Sequence, residues 1–325
     1  MKKSLLKTLL MLGTVATMLV GCGNTNNANN TNNTNGEGAS QSAETTVTIT
    51  DIRGEVEIPA EPQRIVDLSG NSDILSLLGY KVAGTANSDA YDYTKFPSYL
   101  EEVLEGAEIL GYSMQDTMDI EAVMNLNPDL IIISTVQEKM YDQLSQIAPT
   151  VMIQLEALNW KEDVKSFAKV FNKEEAANDW LTAYEAKAKA AGEAIKAEYG
   201  EETTYLSFLA SGGQFFVFDG AGFGSVLYED MSLAKPEGMP EQSDISLPVV
   251  TYEGLASIDT DYIFLIATEE DLQTLESNAI WNSLPAVKEG HVVVLDSSPY
   301  FNQGYSPIGR ELLVDEIGEM LNETK

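Results

Sequence analysis

The chain has one cysteine, Cys22, and one histidine, His291, in 325 residues. A lone cysteine excludes an intrachain disulfide framework and any cysteine-based zinc site. A lone histidine is too few for the multi-histidine sites that hold a bare transition metal. Arginine is also scarce, with only Arg53, Arg64 and Arg310. Bases number 19 against 51 acids, a formal charge of −32. Such a surface repels polyanions, which excludes a nucleic-acid partner and argues against an anionic lipid surface. It suits an exported protein that must stay soluble. The Gly-x-Ser-x-Gly turn of α/β hydrolases is missing. The Ser/His pairing left for a hydrolase is Ser225 with His291, which lie far apart in the chain. The glycine-rich run Asp219-Gly220-Ala221-Gly222-Phe223-Gly224 lacks the Lys-Ser/Thr pair of a phosphate-binding P-loop. It reads better as a ligand-facing loop that opens a helix.

The N-terminus is an address. Residues 1–21 read as a secretory signal: Lys2 and Lys3 supply the charged start, and 5–20 is apolar apart from Lys7. This stretch is short for a membrane-spanning stop-transfer helix. Leu19-Val20-Gly21-Cys22 matches the bacterial lipobox, so Cys22 is expected to be lipidated and to become the new N-terminus. Acyl chains on that residue would hold the protein on a membrane. Residues 22–44 follow as an Asn-rich polar tether that buries no core.

From residue 45 onward short strand patterns alternate with helix patterns, which predicts parallel sheets covered on both faces. A hairpin is expected over 46–58, strands over 64–68, 82–85, 130–134 and 151–154, and helices over 72–78, 120–126 and 138–147. Ligands of such sheets bind outside the carboxyl ends of the strands. The connection 86–107 carries Tyr91, Tyr93, Phe96 and Tyr99.

Residues 174–199 lack proline and are rich in helix formers. Trp180, Leu181, Tyr184, Ala188, Ala191 and Ile195 fall on one helical face. Asn172 is placed to cap the start, Glu174 and Glu175 suit the positive end of the dipole, and Gly200 stops the helix. A helix of that length spans roughly 39 Å at 1.5 Å per residue. It reads as a strut between two lobes. Beyond it, strands are expected over 203–209 and 214–218, then 291–295, a loop over 297–306 and a helix over 308–321. Residues 119–133 (DIEAVMNLNPDLIII) and 251–265 (TYEGLASIDTDYIFL) align without a gap. They match Glu121 with Glu253, Leu126 with Ile258, Asp129 with Asp261 and Ile131 with Ile263. Each is a helix, a turn and a buried strand, which makes the two flanks versions of one lobe. The expected organisation is a lobe at 45–157, a helical linker at 158–200 and a lobe at 201–325.

Signal, lipobox, tether, α/β lobe, single long helix and second α/β lobe together resemble the helical-backbone (class III) periplasmic-binding family. These are substrate-binding lipoproteins of ABC importers for ferric siderophores, cobalamin and haem. The resemblance covers roughly 45–325. It is carried by Arg64-Ile65-Val66, by Ile120-Glu121-Ala122-Val123 through Asn127-Pro128-Asp129-Leu130, by Glu253 through Asp261-Tyr262-Ile263, and by Trp281 through Lys288-Glu289-Gly290-His291. It implies an extracytoplasmic binding protein, not an enzyme, acting as a monomer with a permease and its ATPase subunits as partners. It also implies that Glu121 and Glu253, one on each lobe, dock into arginine pockets of that permease. By residue type alone both are equally solvated first-turn glutamates favoured by the helix dipole.

For the ligand, no basic cluster lies on the loops that would face the cleft, which disfavours a strongly anionic complex. Tyr91, Tyr93, Tyr112, Phe215, Phe223, Tyr300, Phe301 and Tyr305 are the candidate lining residues. Aromatic rings bury area and tyrosine hydroxyls meet carbonyl or hydroxamate oxygens, so a ferric hydroxamate is favoured. Phe215 is the weakest candidate, because one face of its strand must be core. The iron would arrive as a chelate, with no resident cofactor. Cobalamin and haem compete on the same fold. The other readings are the hydrolase and a surface lipoprotein with no ligand.

Overall fold

The computed structural model describes residues 45–156 and 158–324. Cys22 and the expected signal and tether lie outside the described residues. Strands β1 (Thr46–Asp51) and β2 (Gly54–Pro59) form an antiparallel hairpin. The Asp51 carboxylate accepts the Arg53 and Gly54 N–H groups and closes its turn.

The first sheet is built from β3 (Ile65–Asp67), helix α1 (Ser72–Leu77), β4 (Val82–Thr85), β5 (Glu108–Ile109), α2 (Ile120–Asn125), β6 (Leu130–Ser134), α3 (Tyr141–Leu144) and β7 (Thr150–Ile153). Its strands run parallel in the order β5-β4-β3-β6-β7. Every residue of β3, β6 and β7 is buried. That is why these strands read as unbroken apolar runs and not as an alternation. The helix expected over 138–147 starts earlier, as a 3-10 segment at Thr135–Met140, because Ser134 and Gln137 form a capping box there.

Helix α4 (Trp160–Val170) leads into α5 (Glu174–Tyr199). The long helix has the expected bounds, and Gly200 ends it at φ 113°. The expected Asn172 cap is not formed. Lys173 occupies the cap position without a side-chain bond, and Asn172 instead takes a left-handed φ of 52° in the turn after α4. The helix serves two cores. Ala177 and Leu181 pack with the first sheet, whereas Tyr184, Ala188 and Ile195 pack with the second. Trp180 touches both. At Gly192 a Cβ would sit 1.9 Å from the Met231 carbonyl oxygen, so the close approach of these two backbones requires glycine.

The second sheet comprises β8 (Tyr205–Ser211), β9 (Gln214–Val217), α6 (Gly222–Ser225), β10 (Val249–Val250), α7 (Tyr252–Ala256), β11 (Tyr262–Ala267), α8 (Glu269–Glu276), α9 (Pro285–Glu289) and β12 (Val292–Asp296). Its order is β10-β9-β8-β11-β12. The β8–β11 and β11–β12 pairs are parallel, and β9 pairs antiparallel with β8 and β10. The internal repeat is visible at atomic level. The Asp129 carboxylate accepts the Gln63 and Arg64 N–H groups and pins the entry of β3 beside β6. The Asp261 carboxylate accepts from Thr204 N–H and hydroxyl and pins the entry of β8 beside β11.

The segment expected as a loop over 297–306 is mostly helix, α10 (Ser297–Gln303), followed by α11 (Pro307–Asn322). Ser306 caps α11 through the Gly309 N–H, and Pro307 at its first position removes a donor that would have had no partner. This C-terminal pair also reaches the first sheet's side. Ser298 donates to Asp89 at 2.5 Å and Ser306 donates to Asp73 at 2.5 Å. The two sheets are therefore linked by α5 and again by α10–α11. Among the described residues no helix is long and apolar enough to cross a membrane.

Candidate ligand cavity

The loops after the parallel strands converge on a cavity of about 800 Å³. The residues after β3 (Ser69 and Gly70), β4 (Asn87 and Ser88) and β5 (Tyr112 and Met114) form one wall, with Glu156 after β7. The end of β8, Gly220 to Gly222 and the α10–α11 corner form the other. This is the carboxyl-end position that open parallel sheets reserve for ligands, because the strands diverge there and the loops are free to vary.

The eight aromatic candidates divide four ways. Tyr112, Phe301 and Tyr305 line the cavity. Tyr91 (45% exposed) and Tyr93 (50% exposed) stand outside it and back the liners. Tyr93 stacks on Tyr112 with ring centroids 5.3 Å apart, and Tyr91 meets Phe301 edge-on at 6.0 Å. Tyr300 packs half-buried against the second sheet's core. Phe215 and Phe223 are core residues, 1% and 0% exposed. Strand alternation explains Phe215: its ring faces Phe208 and Tyr252, while its neighbour Phe216 faces the cavity. Phe223 turns inward from the first turn of α6 onto Phe264.

The glycine run does line the cavity through Gly220 and Gly222. Helix α6, however, is one turn long and passes into a π-helical segment at Val226–Asp230. Gly222 has φ 57°, and a Cβ there would fall 2.9 Å from the Tyr305 ring. The run thus serves close packing against Tyr305.

Arg310, met in the sequence only as one of three arginines, is part of the cavity wall. It is 2% exposed. Its guanidinium donates to Asp230 at 2.6 Å and to Ser225 Oγ at 2.5 Å, and lies 4.6 Å over the Trp160 ring. The Tyr184 hydroxyl donates to the same Asp230 oxygen at 2.7 Å. Trp160 packs edge-on against Tyr184 and Trp180, so the helices α4, α5 and α11 meet at one aromatic and ionic knot beneath the cavity. Trp160 itself lines the cavity, as does Tyr99, whose hydroxyl burial raises well above the ordinary tyrosine value. Neither was among the expected liners. Trp160 could have been found from its place as the first helical residue after the last strand of the lobe.

The Ser225/His291 pairing does not form. Ser225 Oγ donates to the Gly222 carbonyl and accepts from Arg310. His291 lies just before β12, stacked on Tyr262, with Nδ1 3.1 Å from the Asp261 carbonyl oxygen.

Three carboxylates also face the cavity: Asp73, Glu156 and Asp163. Burial raises Asp73 to about 6, against the pull of the Ser306 hydroxyl. Burial raises Asp163 to about 7, opposed by the Glu156 N–H bond and aided by the Glu156 and Glu162 charges. A carboxyl whose folded pKa lies above its unfolded value binds protons more tightly when folded, so its penalty is present above the folded value and relieved as pH falls. Stability should therefore rise as pH is lowered from about 8 to about 5. Asp163→Asn should be more stable than the parent at pH 8 by on the order of 1–2 kcal/mol, the gap closing toward pH 5. Urea unfolding at the two pH values checks this; a gap independent of pH would contradict it.

The sequence matches the periplasmic binding protein family over residues 69–299. The chain belongs to that family. Among its relatives, the iron(3+)-hydroxamate-binding protein FhuD of Bacillus subtilis is 31% identical over 94% of both chains. The iron(3+)-hydroxamate-binding protein YxeB of the same organism is 30% identical over 87% of both. Solved periplasmic binding proteins share the fold. The crystal structure of a FhuD fold-family component of a ferrichrome ABC transporter from Bacillus subtilis superposes with TM-score 0.69 at 30% identity, covering 85% of this chain and all of that one. Staphylococcus aureus SirA, solved with staphyloferrin B, gives TM-score 0.68 at 25% identity over 86% of this chain and all of SirA. In this chain two α/β sheets flank the cavity and a long helix joins them.

Proposed function

We propose that this protein is the extracytoplasmic receptor of an ABC importer and captures a ferric siderophore, of hydroxamate type, in the cavity between its two sheets. One observation carries the reading: the cavity is walled by Tyr99, Tyr112, Trp160, Phe301 and Tyr305, and its single guanidinium is already balanced by Asp230. Such a wall gives apolar contact and hydroxyl donors to a compact, weakly charged complex and no surplus of positive charge to a triply anionic one. The relatives named for hydroxamate binding support the same class. Among the described residues no group of three or more His, Cys, Asp or Glu side chains is placed to hold a metal ion.

Cys22 is lipidated, and residues 22–44 tether the body to the membrane. Glu121 and Glu253, exposed in the first turns of α2 and α7, dock the two lobes on the permease. A carboxylate facing a guanidinium gives an oriented, bidentate contact. The protein works as a monomer. Because α5 is continuous and α10–α11 tie both sides, closure on the ligand is small, and release depends on the permease and its ATPase.

A thermal-unfolding screen tests the proposal against ferric hydroxamates, ferric catecholates, haem and cobalamin. A ligand at 100 times its Kd should stabilise the fold by about 2.7 kcal/mol. The expected result is a shift with a hydroxamate. A shift with haem or cobalamin alone would overturn the choice of ligand, and a shift with none would overturn the receptor reading.

A further inference from the structure

We infer that the ligand carries an apolar arm, an acyl chain or a hydrocarbon of similar reach, and that the cavity seats this arm on a row of side chains at the edge of the second sheet. This rests on the receptor reading above and narrows its ligand from a ferric chelate to an amphiphilic one. The row comes from strand register. Leu209 on β8 is paired with Phe216 on β9, and Phe216 with Val249 on β10. Directly paired residues point to one face of a sheet, and all three line the cavity. Strand β10 is the edge of that sheet, so the row runs outward from its centre. Exposure rises along it: Leu209 is 6% exposed, Phe216 half-buried and Val249 49% exposed. Ile245, also exposed, and Leu247 line the cavity just before β10 and lengthen the row.

The chemistry of this stretch differs from that of the rest of the wall. The four charged side chains that line the cavity, Asp73, Glu156, Asp163 and Arg310, come from α1, the β7–α4 connection, α4 and α11. Between Leu209 and Val249 the lining holds no charge, and its polar side chains are Ser211 and Ser246. Leu209, Phe216 and Leu247 rest on the same core as Phe301 and Tyr305, so the row continues from the aromatic end of the cavity. From the first sheet's side, the exposed Met114 and Leu158 line the same space. A Cβ on Gly220 would lie 3.9 Å from the Leu158 methyl groups, which places Leu158 against the second side.

The position of the row says what covers it. Helix α5 and the bonds of Ser298 to Asp89 and Ser306 to Asp73 hold the two sides at one spacing, so the row is left to the occupant of the cavity. Hydrocarbon laid on hydrocarbon is the favourable contact such a surface offers. An iron core held by hydroxyls and rings at the aromatic end leaves the row bare, whereas an arm attached to that core covers it. Two strand spacings make the row roughly 10 Å wide, the reach of an extended chain of about eight carbons.

The test uses one linear ferric trihydroxamate whose terminal amine is acylated with acetyl, butanoyl, hexanoyl or octanoyl groups, so that iron core and charge are constant. Each is titrated into the protein by quenching of tryptophan fluorescence, since Trp160 lies in the cavity wall. Full burial of a methylene is worth roughly fourfold in Kd, and one seated on an open surface about twofold. Kd should therefore fall by about sixtyfold from acetyl to octanoyl. Ile245→Ser with Val249→Ser, both at exposed positions, should flatten the series to within about fivefold. Val294→Ser, at an exposed position on the opposite edge strand β12 and outside the cavity, should leave the full gain. Equal affinity for the four forms would overturn the apolar arm and leave the hydroxamate receptor intact. Failure of all four to bind, the acetyl form included, would overturn the hydroxamate reading itself. A gain that survives the double substitution, or one that Val294→Ser also removes, would overturn the assignment to this row. Equal weakening of all four forms by the double substitution would mean that the row is covered by the first side on closure, and would overturn the arm as its occupant.

Discussion

Replacing Arg310 with alanine should cost about 3–5 kcal/mol of stability. The reason is the charge it leaves behind. The Asp230 side chain is 1% exposed, and its partners are Arg310, the Tyr184 hydroxyl and Lys161 at 3.7 Å. Without the guanidinium a buried carboxylate would keep one neutral donor and one distant ammonium. Its desolvation would no longer be offset. The stacking of the guanidinium on Trp160 and its bond to Ser225 are lost as well. Removing both charges together, as Arg310→Met with Asp230→Asn, should recover more than half of the loss, because a neutral pair demands far less solvation. Arg310→Lys should fall between, since an ammonium cannot bridge Asp230 and Ser225 with one planar fork. Urea unfolding of the three variants beside the parent checks this. A loss under about 1 kcal/mol for Arg310→Ala would show that the pair is solvated and that this corner of the cavity is looser than the structure has it.

The second large effect is on transport. Reversing both docking carboxylates, Glu121→Arg with Glu253→Arg, should abolish uptake by the assembled importer while Kd for the ligand stays within about twofold. Each glutamate is exposed in the first turn of a short helix, away from the cavity wall. The local cost of placing a cation at a helix N-terminus is only about 0.3–1 kcal/mol, so folding should survive. Against an arginine pocket, by contrast, each reversal turns an attraction into a repulsion. Single reversals should weaken uptake less than the pair. Full uptake by the double variant with binding retained would show that the two residues are simply solvated helix caps.

Several features of the fold could be read in the chain because they arise from local chemistry. The bounds of α5 follow from composition and from Gly200. The helix–turn–strand echo at 119–133 and 251–265 reappears as Asp129 and Asp261 performing the same task in the two sheets. What escaped the sequence reading depends on the third dimension. Phe215 and Phe216 are adjacent and chemically identical, and only the register of β9 decides that Phe216 faces the cavity. Arg310 and Asp230 lie far apart in the chain, so no local pattern announces their bond. Helix α10 starts with Ser-Ser-Pro, which reads as a turn, and is held by contacts such as Ser298 with Asp89 from the other side of the cavity. The acidic wall was likewise invisible among so many surface carboxylates. Only the topology separates Glu156 and Asp163 from the rest.

The most direct measurement of the central claim is an equilibrium titration of a neutral ferric trihydroxamate into the purified protein, followed by tryptophan quenching, with the iron-free chelator as the control. The account predicts saturable binding at one site per chain with a Kd below about 1 μM, a free energy near −8 kcal/mol, and at least tenfold weaker binding of the iron-free form. Absence of saturation, or equal binding with and without iron, would contradict the claim that this cavity is built to capture a ferric hydroxamate.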